Sequence, residues 1–472
     1  MLKVLKFGGT SIGSADAVQR VVDIVKHETR DPRAVLVFSA MGKTTDRLLQ
    51  AAGEAAAGRT GAALRSLDAL RSDHLRLAGA FLADGREIAE VNRLFRRLSQ
   101  MVESIGVLRD FSPPVQDEFL AHGELLSTRI LAGILKNEGL PARWVDSRQV
   151  VVTDSRFTRA EPDLPRTRER AARILSPLLS SGVLPVLQGF IAADPSGHTT
   201  TLGRGGSDYT AALLGSVLSA DEIQIWTDVD GILTADPSLV PDARPIARMS
   251  YREAAELAYF GARVLHPKTI APAMDRNIPV WVRNIFNSRA RGTCILLEVP
   301  PNGAPVKSIA YKEGMTLITI VSTRMFKAHD FLRRVFEVFD RHETAVDLVA
   351  TTEVSVALAV HQIPRREAVL RELEQFGRVN WQQRMAVVCV VGEAMRGRAG
   401  MPEQIFSAVA DVPVSMISLG GSEINLSFVC EERALPGVIR RLHRRFFGEP
   451  GSGRAVVRRA EQEMEPAGRE RP

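Results

Sequence analysis

In "KFGGTS" (6–11), Lys6 is followed closely by Gly8 and Gly9, between a short apolar run and a helix-like one. Two glycines let backbone N–H groups approach an anion, and the start of a helix adds partial positive charge. Lys6 contributes a full charge that could follow a transferring phosphoryl group. The lysine precedes the glycines, so this is not a Walker-type P-loop; taken alone, the pattern also fits a tight turn with a surface lysine. A second stretch, "TTTLGRGGSDYTAALL" (199–214), sets Arg204 in a glycine turn, where its guanidinium is a fork for carboxylate or phosphate. Ser207 or Asp208 is placed to cap the helix that follows, but capping leaves Arg204 and the three threonines unexplained. In a third, "IWTDVDGILTADP" (225–237), a strand runs into Thr-Asp-x-Asp-Gly. Open α/β sheets bind ligands at such carboxyl ends. Asp228 and Asp230 suit Mg²⁺, and they suit ordinary turn chemistry equally well.

Positioning these groups requires a framework of alternating elements. Strand-like residues 2–6 and 34–40 alternate with helical spacing over 14–28, with Ser14 as N-cap, and over 45–58. Residues 60–137 read as helical throughout, a lid over one end of a sheet. Strand–helix alternation then resumes up to "IPVWVRN" (278–284). This predicts an α/β fold with a largely parallel sheet over 1–298, closed by the linker "EVPPNGAPV" (298–306). Beyond it, a βαββα order occurs twice, as expected for two ferredoxin-like units at 299–384 and 385–448. The second copy lacks a final strand, and "VKSIAYK" (306–312) could supply it, which would interleave the copies. Residues 449–472 offer little to bury and are expected to be disordered.

The chain has 472 residues, 45% of them hydrophobic and 25% charged, the composition of a soluble globular protein. No apolar run reaches membrane-spanning length, and the glycine-rich N-terminus lacks the features of a signal peptide. The widely spaced Cys294, Cys389 and Cys430 fit reduced, packed thiols, and a cytoplasmic protein is expected. The net charge of +6 is read as a solvated basic face, because no aromatic-basic interleaving marks a nucleic-acid site.

Taken in order, "KFGGTS", "SAMGKTTDRLL", "HGELLSTRI", "TTTLGRGGSDYTAALL", "WTDVDGILTADP" and "FGARVLHPKT" resemble the motifs of aspartate kinases. These belong to the amino-acid kinase superfamily. The resemblance runs from residue 3 to about 446, and the repeated C-terminal units look like the family's paired ACT domains. The first repeat is most similar to that of the lysine-sensitive monofunctional enzymes; only a tail follows residue 448, where bifunctional forms add a homoserine dehydrogenase. The resemblance implies transfer of a phosphoryl group from ATP, with Mg²⁺, to L-aspartate. It gives Lys6 the transferring phosphoryl group, Gly8 and Gly9 its backbone contacts, and Asp208 the orientation of Lys6. Arg204 would hold the substrate's α-carboxylate and Glu124 its α-ammonium, with Thr45, Ser207 and Ser39 adding hydrogen bonds. Thr227, Asp228 and Arg263 would contact the nucleotide. Mg²⁺ would be held mainly by ATP oxygens and water, with no ligand set assigned to the chain. His122 and His266 are read as structural, since no proton has to move.

The same resemblance implies a homodimer, or a tetramer made of two such dimers, built through ACT domains that bind lysine near Met325, Phe331, Leu332, Val346, Asp347 and Thr352. Asp347 is the expected partner of an effector ammonium. Departures from the family pattern are Leu233 for tyrosine, Ser238 for a basic residue and Arg263 for lysine on the nucleotide side. Asp330 for glycine and Ala345 for serine are those on the effector side, and Asp330 could cap its helix or interfere with the effector's carboxylate. Two rival readings are another amino-acid kinase, expected to lack "HGE" with "TTLGRGGSD" and the ACT pair, and a catalytically dead amino-acid sensor.

Overall fold

The structure, a computed structural model, describes residues 1–29, 33–82, 85–261, 267–299, 305–321, 330–393 and 395–448. The chain divides into two compact units, Met1–Ile232 with Val264–Leu297, and Leu233–Arg263 with Glu298–Pro472. Residues 233–261, within the first domain of the sequence reading, are grouped by their contacts with the second unit.

The first unit opens with β1 (Leu2–Phe7), α1 (Ala15–Glu28), β2 (Arg33–Phe38) and α2 (Thr44–Ala56). Ser14 caps α1 as expected, its hydroxyl accepting from the Ala17 amide at 3.2 Å. Three long helices follow: α3 (Thr60–Gly79), α4 (Gly85–Leu108) and α5 (Pro113–Asn137). Then come β3 (Ala142–Trp144), α6 (Leu164–Ser180), β4 (Leu184–Gln188), β5 (Ile191–Ala193), β6 (Thr199–Thr201), α7 (Gly206–Leu218) and β7 (Glu222–Thr227). After β8 (Arg248–Ser250) and α8 (Tyr251–Tyr259), which belong to the second unit, α9 (Pro267–Met274), β9 (Val280–Asn284) and β10 (Thr293–Leu296) complete the first.

Its sheet runs β3-β4-β2-β1-β7-β9-β10. All neighbours are parallel except β10, which turns back on β9. Strands covered on both faces read as continuous apolar runs, and "AVLVF" is buried throughout. Phe7 stacks between Phe38 and Trp226, with centroids at 5.1 and 6.3 Å, tying the three central strands together near their carboxyl ends. Helix α5 is buried almost without interruption from Phe119 to Leu135, as expected of a helix apolar on all sides. The short β5–β6 hairpin, not foreseen in the sequence, is antiparallel.

The second unit carries a six-stranded sheet in the order β12-β13-β11-β14-β16-β15. Its elements are β11 (Ser308–Val321), α10 (Phe331–Arg341), β12 (Leu348–Thr351), β13 (Ser355–Val360), α11 (Arg366–Leu373), β14 (Arg378–Val391), α12 (Met401–Ser407), β15 (Val414–Leu419), β16 (Asn425–Glu431) and α13 (Leu435–Phe447). The strands β11 and β14, 14 residues each, serve both repeats. Thr316–Val321 pairs with β13, while Ser308–Lys312 pairs with Val387–Val391 beside β16. "VKSIAYK" therefore does supply the edge missing from the second copy, as one strand continuous with the first copy's "MTLITIV". The expected end of the strand near Lys312 is carried instead by a register shift between Lys312 and Leu317, with Gly314 at φ +69°.

Candidate functional site

Carboxyl-terminal loops of β1, β2 and β4 meet the starts of α2 and α7 around a cavity of about 310 Å³. Its lining includes Lys6, Ser39, Thr45, Glu124, Arg204, Ser207 and Asp208. These residues are spread over two hundred positions of chain, and all were expected from the sequence to meet at one site. Phe190, Gly203, Gly205 and Gly206 complete the wall. Phe190 was missed; its φ of +70° and its seat against Gly206, where a Cβ would lie 2.8 Å from its ring, leave no mark in the sequence beyond a Gly-Phe pair after β4.

The lysine loop depends on close backbone approach. A Cβ on Gly9 would stand 2.6 Å from the Ala40 carbonyl and 2.9 Å from that of Gly42, so only glycine lets the β1 and β2 loops touch. Gly8 differs from expectation: its amide donates to the Trp226 carbonyl at 3.2 Å and is already spent in fixing the loop to β7. Among the described residues no acceptor meets the Gly9 amide. Lys6 forms a 2.5 Å ion pair with Asp208 in the first turn of α7. That helix is not capped by Ser207 or Asp208. Its N-cap is Gly205 at φ +73°, with no side-chain bond to the first-turn amides, because Asp208 is turned to Lys6 instead.

Glu124 is held on α5 against the end of β2. Its Oε1 accepts the Ala40 amide at 3.1 Å, and the nearby Ser127 hydroxyl donates to the Ser39 carbonyl at 2.8 Å. Gly123 permits this approach, since its Cβ would lie 3.0 Å from that of Ala40. Only 3% of Glu124 is exposed, and burial pushes its carboxyl up to about 8. Its Oε2 has no hydrogen-bond partner, so one carboxylate oxygen in the cavity wall is unsatisfied. Arg204 is exposed and, among the described residues, has no ion-pair partner. The cavity therefore combines an ion-paired lysine, a guanidinium without an ion-pair partner among the described residues and a buried carboxyl with one oxygen unsatisfied, a set that complements a zwitterion beside an anion.

At the end of β7, Thr227 donates its hydroxyl to Asp228 at 3.1 Å. The Asp230 carboxylate instead accepts the side-chain amides of Asn284, at 2.9 Å, and Asn287, at 3.2 Å. Among the described residues, no group of three or more acidic, His or Cys side chains could hold a metal ion. Arg263, expected on the nucleotide side, and His266 lie outside the described residues. His122 is buried, with Nδ1 at 2.9 Å from the Glu118 carbonyl, and burial pushes its pKa down. It does not line the cavity.

Of the expected effector residues, Met325 lies outside the described residues. Phe331 is buried in the core of the first repeat, edge-on to Phe376, whereas Leu332 is exposed. Val346 is packed at the margin of that core, and Thr352 is exposed and spends its hydroxyl on Ser355. Asp347, the expected partner of an effector ammonium, is engaged within the chain. Lys312 of the same chain pairs with it at 2.5 Å, and its other oxygen accepts the His361 amide at 3.0 Å. Burial, and next the Asp347 carboxylate, push the pKa of Tyr259 on α8 up. Asp330 precedes α10 but makes no capping bond; it pairs with Arg333 at 3.2 Å. Leu233 gives its carbonyl to the Ser308 hydroxyl, and Ser238 bonds Asp236, both within the second unit.

Residues 1–284 match the amino acid kinase family, and residues 388–446 match an ACT domain. The chain is 37% identical to lysine-sensitive aspartokinase 3 of Escherichia coli K12, over 94% of this chain and 99% of that one. The crystal structure of E. coli aspartokinase III with aspartate and ADP superposes with a TM-score of 0.82 at 36% identity, covering 95% of this chain and all of that one. The same enzyme with lysine and aspartate gives a TM-score of 0.80 at 36% identity, over 94% and 99% of the two chains.

Proposed function

Because the chain belongs to the aspartokinase family, we propose that its cavity binds L-aspartate and transfers the γ-phosphoryl group of ATP to the side-chain carboxylate. The products are 4-phospho-L-aspartate and ADP, the opening step toward lysine, threonine and methionine. The observation that carries this reading is the cavity's charge pattern: paired Lys6 and Asp208, unpaired Arg204, and the orphaned oxygen of buried Glu124.

The nucleophile arrives ionised, since a free carboxyl of this kind has a pKa of about 4. No base is required, which leaves His122 to its structural hydrogen bond. The difficulty is the approach of two anions. Two unit charges about 4 Å apart repel by roughly 4 kcal/mol at an effective dielectric near 20, so a cation at the junction has most effect. Lys6 takes this role, held by Asp208, with the Gly9 amide beside it. Arg204 forks onto the α-carboxylate. Glu124 offers its orphaned oxygen to the α-ammonium, whose arrival draws its buried carboxyl into the ionised form. Ser39, Thr45 and Ser207 border the same space and orient the side-chain carboxylate. Thr227 and Asp228 face the nucleotide. Mg²⁺ enters with ATP: Asp230 is occupied by two amides, so the donor set fits an ion carried by phosphate oxygens and water. Such an ion neutralises phosphate charge when bound.

The ACT repeats bind an amino-acid effector, lysine in this reading. Its ammonium must compete with Lys312 for Asp347, so inhibition is weak unless that pair opens. A second copy of the chain covers exposed Leu332, Phe336 and Val349 of the first repeat, forming a homodimer. Three buried cysteines, none of them in a disulfide, support a reducing, cytoplasmic setting. A coupled ADP-release assay with aspartate, glutamate or N-acetylglutamate tests the assignment. Aspartate alone should support turnover, and lysine rather than threonine should lower it. Turnover with another of these acids, or none with aspartate, refutes it.

A further inference from the structure

None of the three threonines of β6 lines the cavity, yet they run directly into the loop that carries Arg204. Their hydroxyls are all engaged. Thr199 donates to Glu118 of α5 and receives Arg148 at 3.1 Å, and Thr200 pairs with Thr153 at 2.7 Å. Thr201 donates its hydroxyl to Asp117 Oδ1 at 2.7 Å and its amide to Asp117 Oδ2 at 2.9 Å. The same Oδ2 accepts the Thr158 amide at 2.8 Å. Asp117 is fully buried, and its carboxylate joins three segments among the described residues: α5, the turn at Thr158, and β6.

Both other segments lead to the cavity. Thr158 has φ +70°, and its carbonyl would stand 3.2 Å from a Cβ on Gly203, so this turn shapes the loop just before Arg204. On α5, Asp117 precedes Glu124 by two helical turns, which puts the two carboxyl groups on one face of the helix. One carboxylate thus ties the element carrying Glu124 to the strand that leads into Arg204 and to the turn packed against Gly203 just before it.

We propose that Asp117 is a positioning residue for the amino-acid substrate. It sets the separation between Arg204 and Glu124, resting on the reading of these two as the grips on aspartate. The α-carboxylate and α-ammonium share one carbon, so the substrate cannot stretch to meet displaced partners. Two grips on separate elements must therefore be held to a fraction of an ångström. ATP, bound by other loops, does not depend on this joint.

The test is steady-state ADP release by the full chain, varying aspartate at saturating ATP and ATP at saturating aspartate. Asp117→Ala should raise the aspartate KM by roughly tenfold to a hundredfold and leave the ATP KM within about twofold. Asp117→Asn should stay within about threefold of the parent, because its amide oxygen still accepts both N–H groups and the Thr201 hydroxyl can rotate to accept from its nitrogen. An unchanged aspartate KM in Asp117→Ala, or an ATP KM rising in step with it, overturns the proposal. Should that variant not fold by circular dichroism, Thr201→Val serves, since it removes one of the three bonds and keeps both amides. A several-fold rise in aspartate KM alone is then expected, and an unchanged value overturns the proposal. Parent protein that releases no ADP with aspartate overturns the substrate reading and this inference with it; normal parent turnover with unaffected variants overturns this inference only.

Discussion

Glu124 gives the cavity a pH dependence that can be worked out in advance. Burial holds its carboxyl up to about 8, so the empty site is mostly protonated at neutral pH. A carboxyl of that pKa is ionised in about 1% of molecules at pH 6, about 9% at pH 7 and about half at pH 8. If only the ionised form grips the ammonium, the apparent affinity is the intrinsic one scaled by that fraction, and the aspartate KM should fall about fiftyfold from pH 6 to pH 8. The ATP KM, measured in the same buffers, lacks this slope. Glu124→Gln keeps the acceptor for the Ala40 amide but cannot ionise, so its aspartate KM should be high and flat. Stability supplies an independent reading. A carboxyl whose folded pKa is raised contributes stability that is complete below the unfolded value of 4.5 and is lost as pH rises through about 8. The thermal midpoint of Glu124→Gln relative to the parent should therefore increase across that window. A flat aspartate KM in the parent between pH 6 and 8, or a slope surviving in Glu124→Gln, refutes the reasoning.

Arg204→Ala should raise the aspartate KM by about 10- to 150-fold, the worth of a charge-assisted bidentate contact, with the ATP KM within about twofold. Equal rises in both would remove Arg204 from the amino-acid grip. Lys6→Ala should lower kcat by about a hundredfold to a thousandfold, the scale of losing one preorganised donor at developing charge, without loss of fold by circular dichroism. Lys312→Ala should increase sensitivity to lysine by freeing Asp347, whereas Asp347→Ala should abolish it; dose–response curves of ADP release decide both. If Lys312→Ala is less sensitive than the parent, Lys312 is not a competitor of the effector.

The site was legible in the sequence to the extent that its chemistry needs special residue types. Lys6 and Arg204 stood out as charges among glycines, whereas Glu124 and the role of Asp208 came from the resemblance of the ordered motifs; all four line one cavity. The glycines at 9 and 205 were legible too, since close approach and a positive φ exclude most alternatives. The use of each backbone amide was not: Gly8 donates to Trp226, which is distant in sequence and adjacent only because β1 pairs with β7. Likewise, either Ser207 or Asp208 fits a capping pattern, and only the position of Lys6 decides that Asp208 turns elsewhere.

Local pattern thus determined the elements and the parallel sheet, because periodicity and turn chemistry are properties of neighbouring residues, and the ordered motifs, through their family resemblance, supplied the charged groups. Tertiary structure alone decided which buried charge answers which. It gave Asp347 to Lys312 and joined Asp117 to Thr158 and Thr201. A buried polar group must find a partner wherever the folded chain brings one within about 3 Å, and that partner carries no signal in the residues beside it.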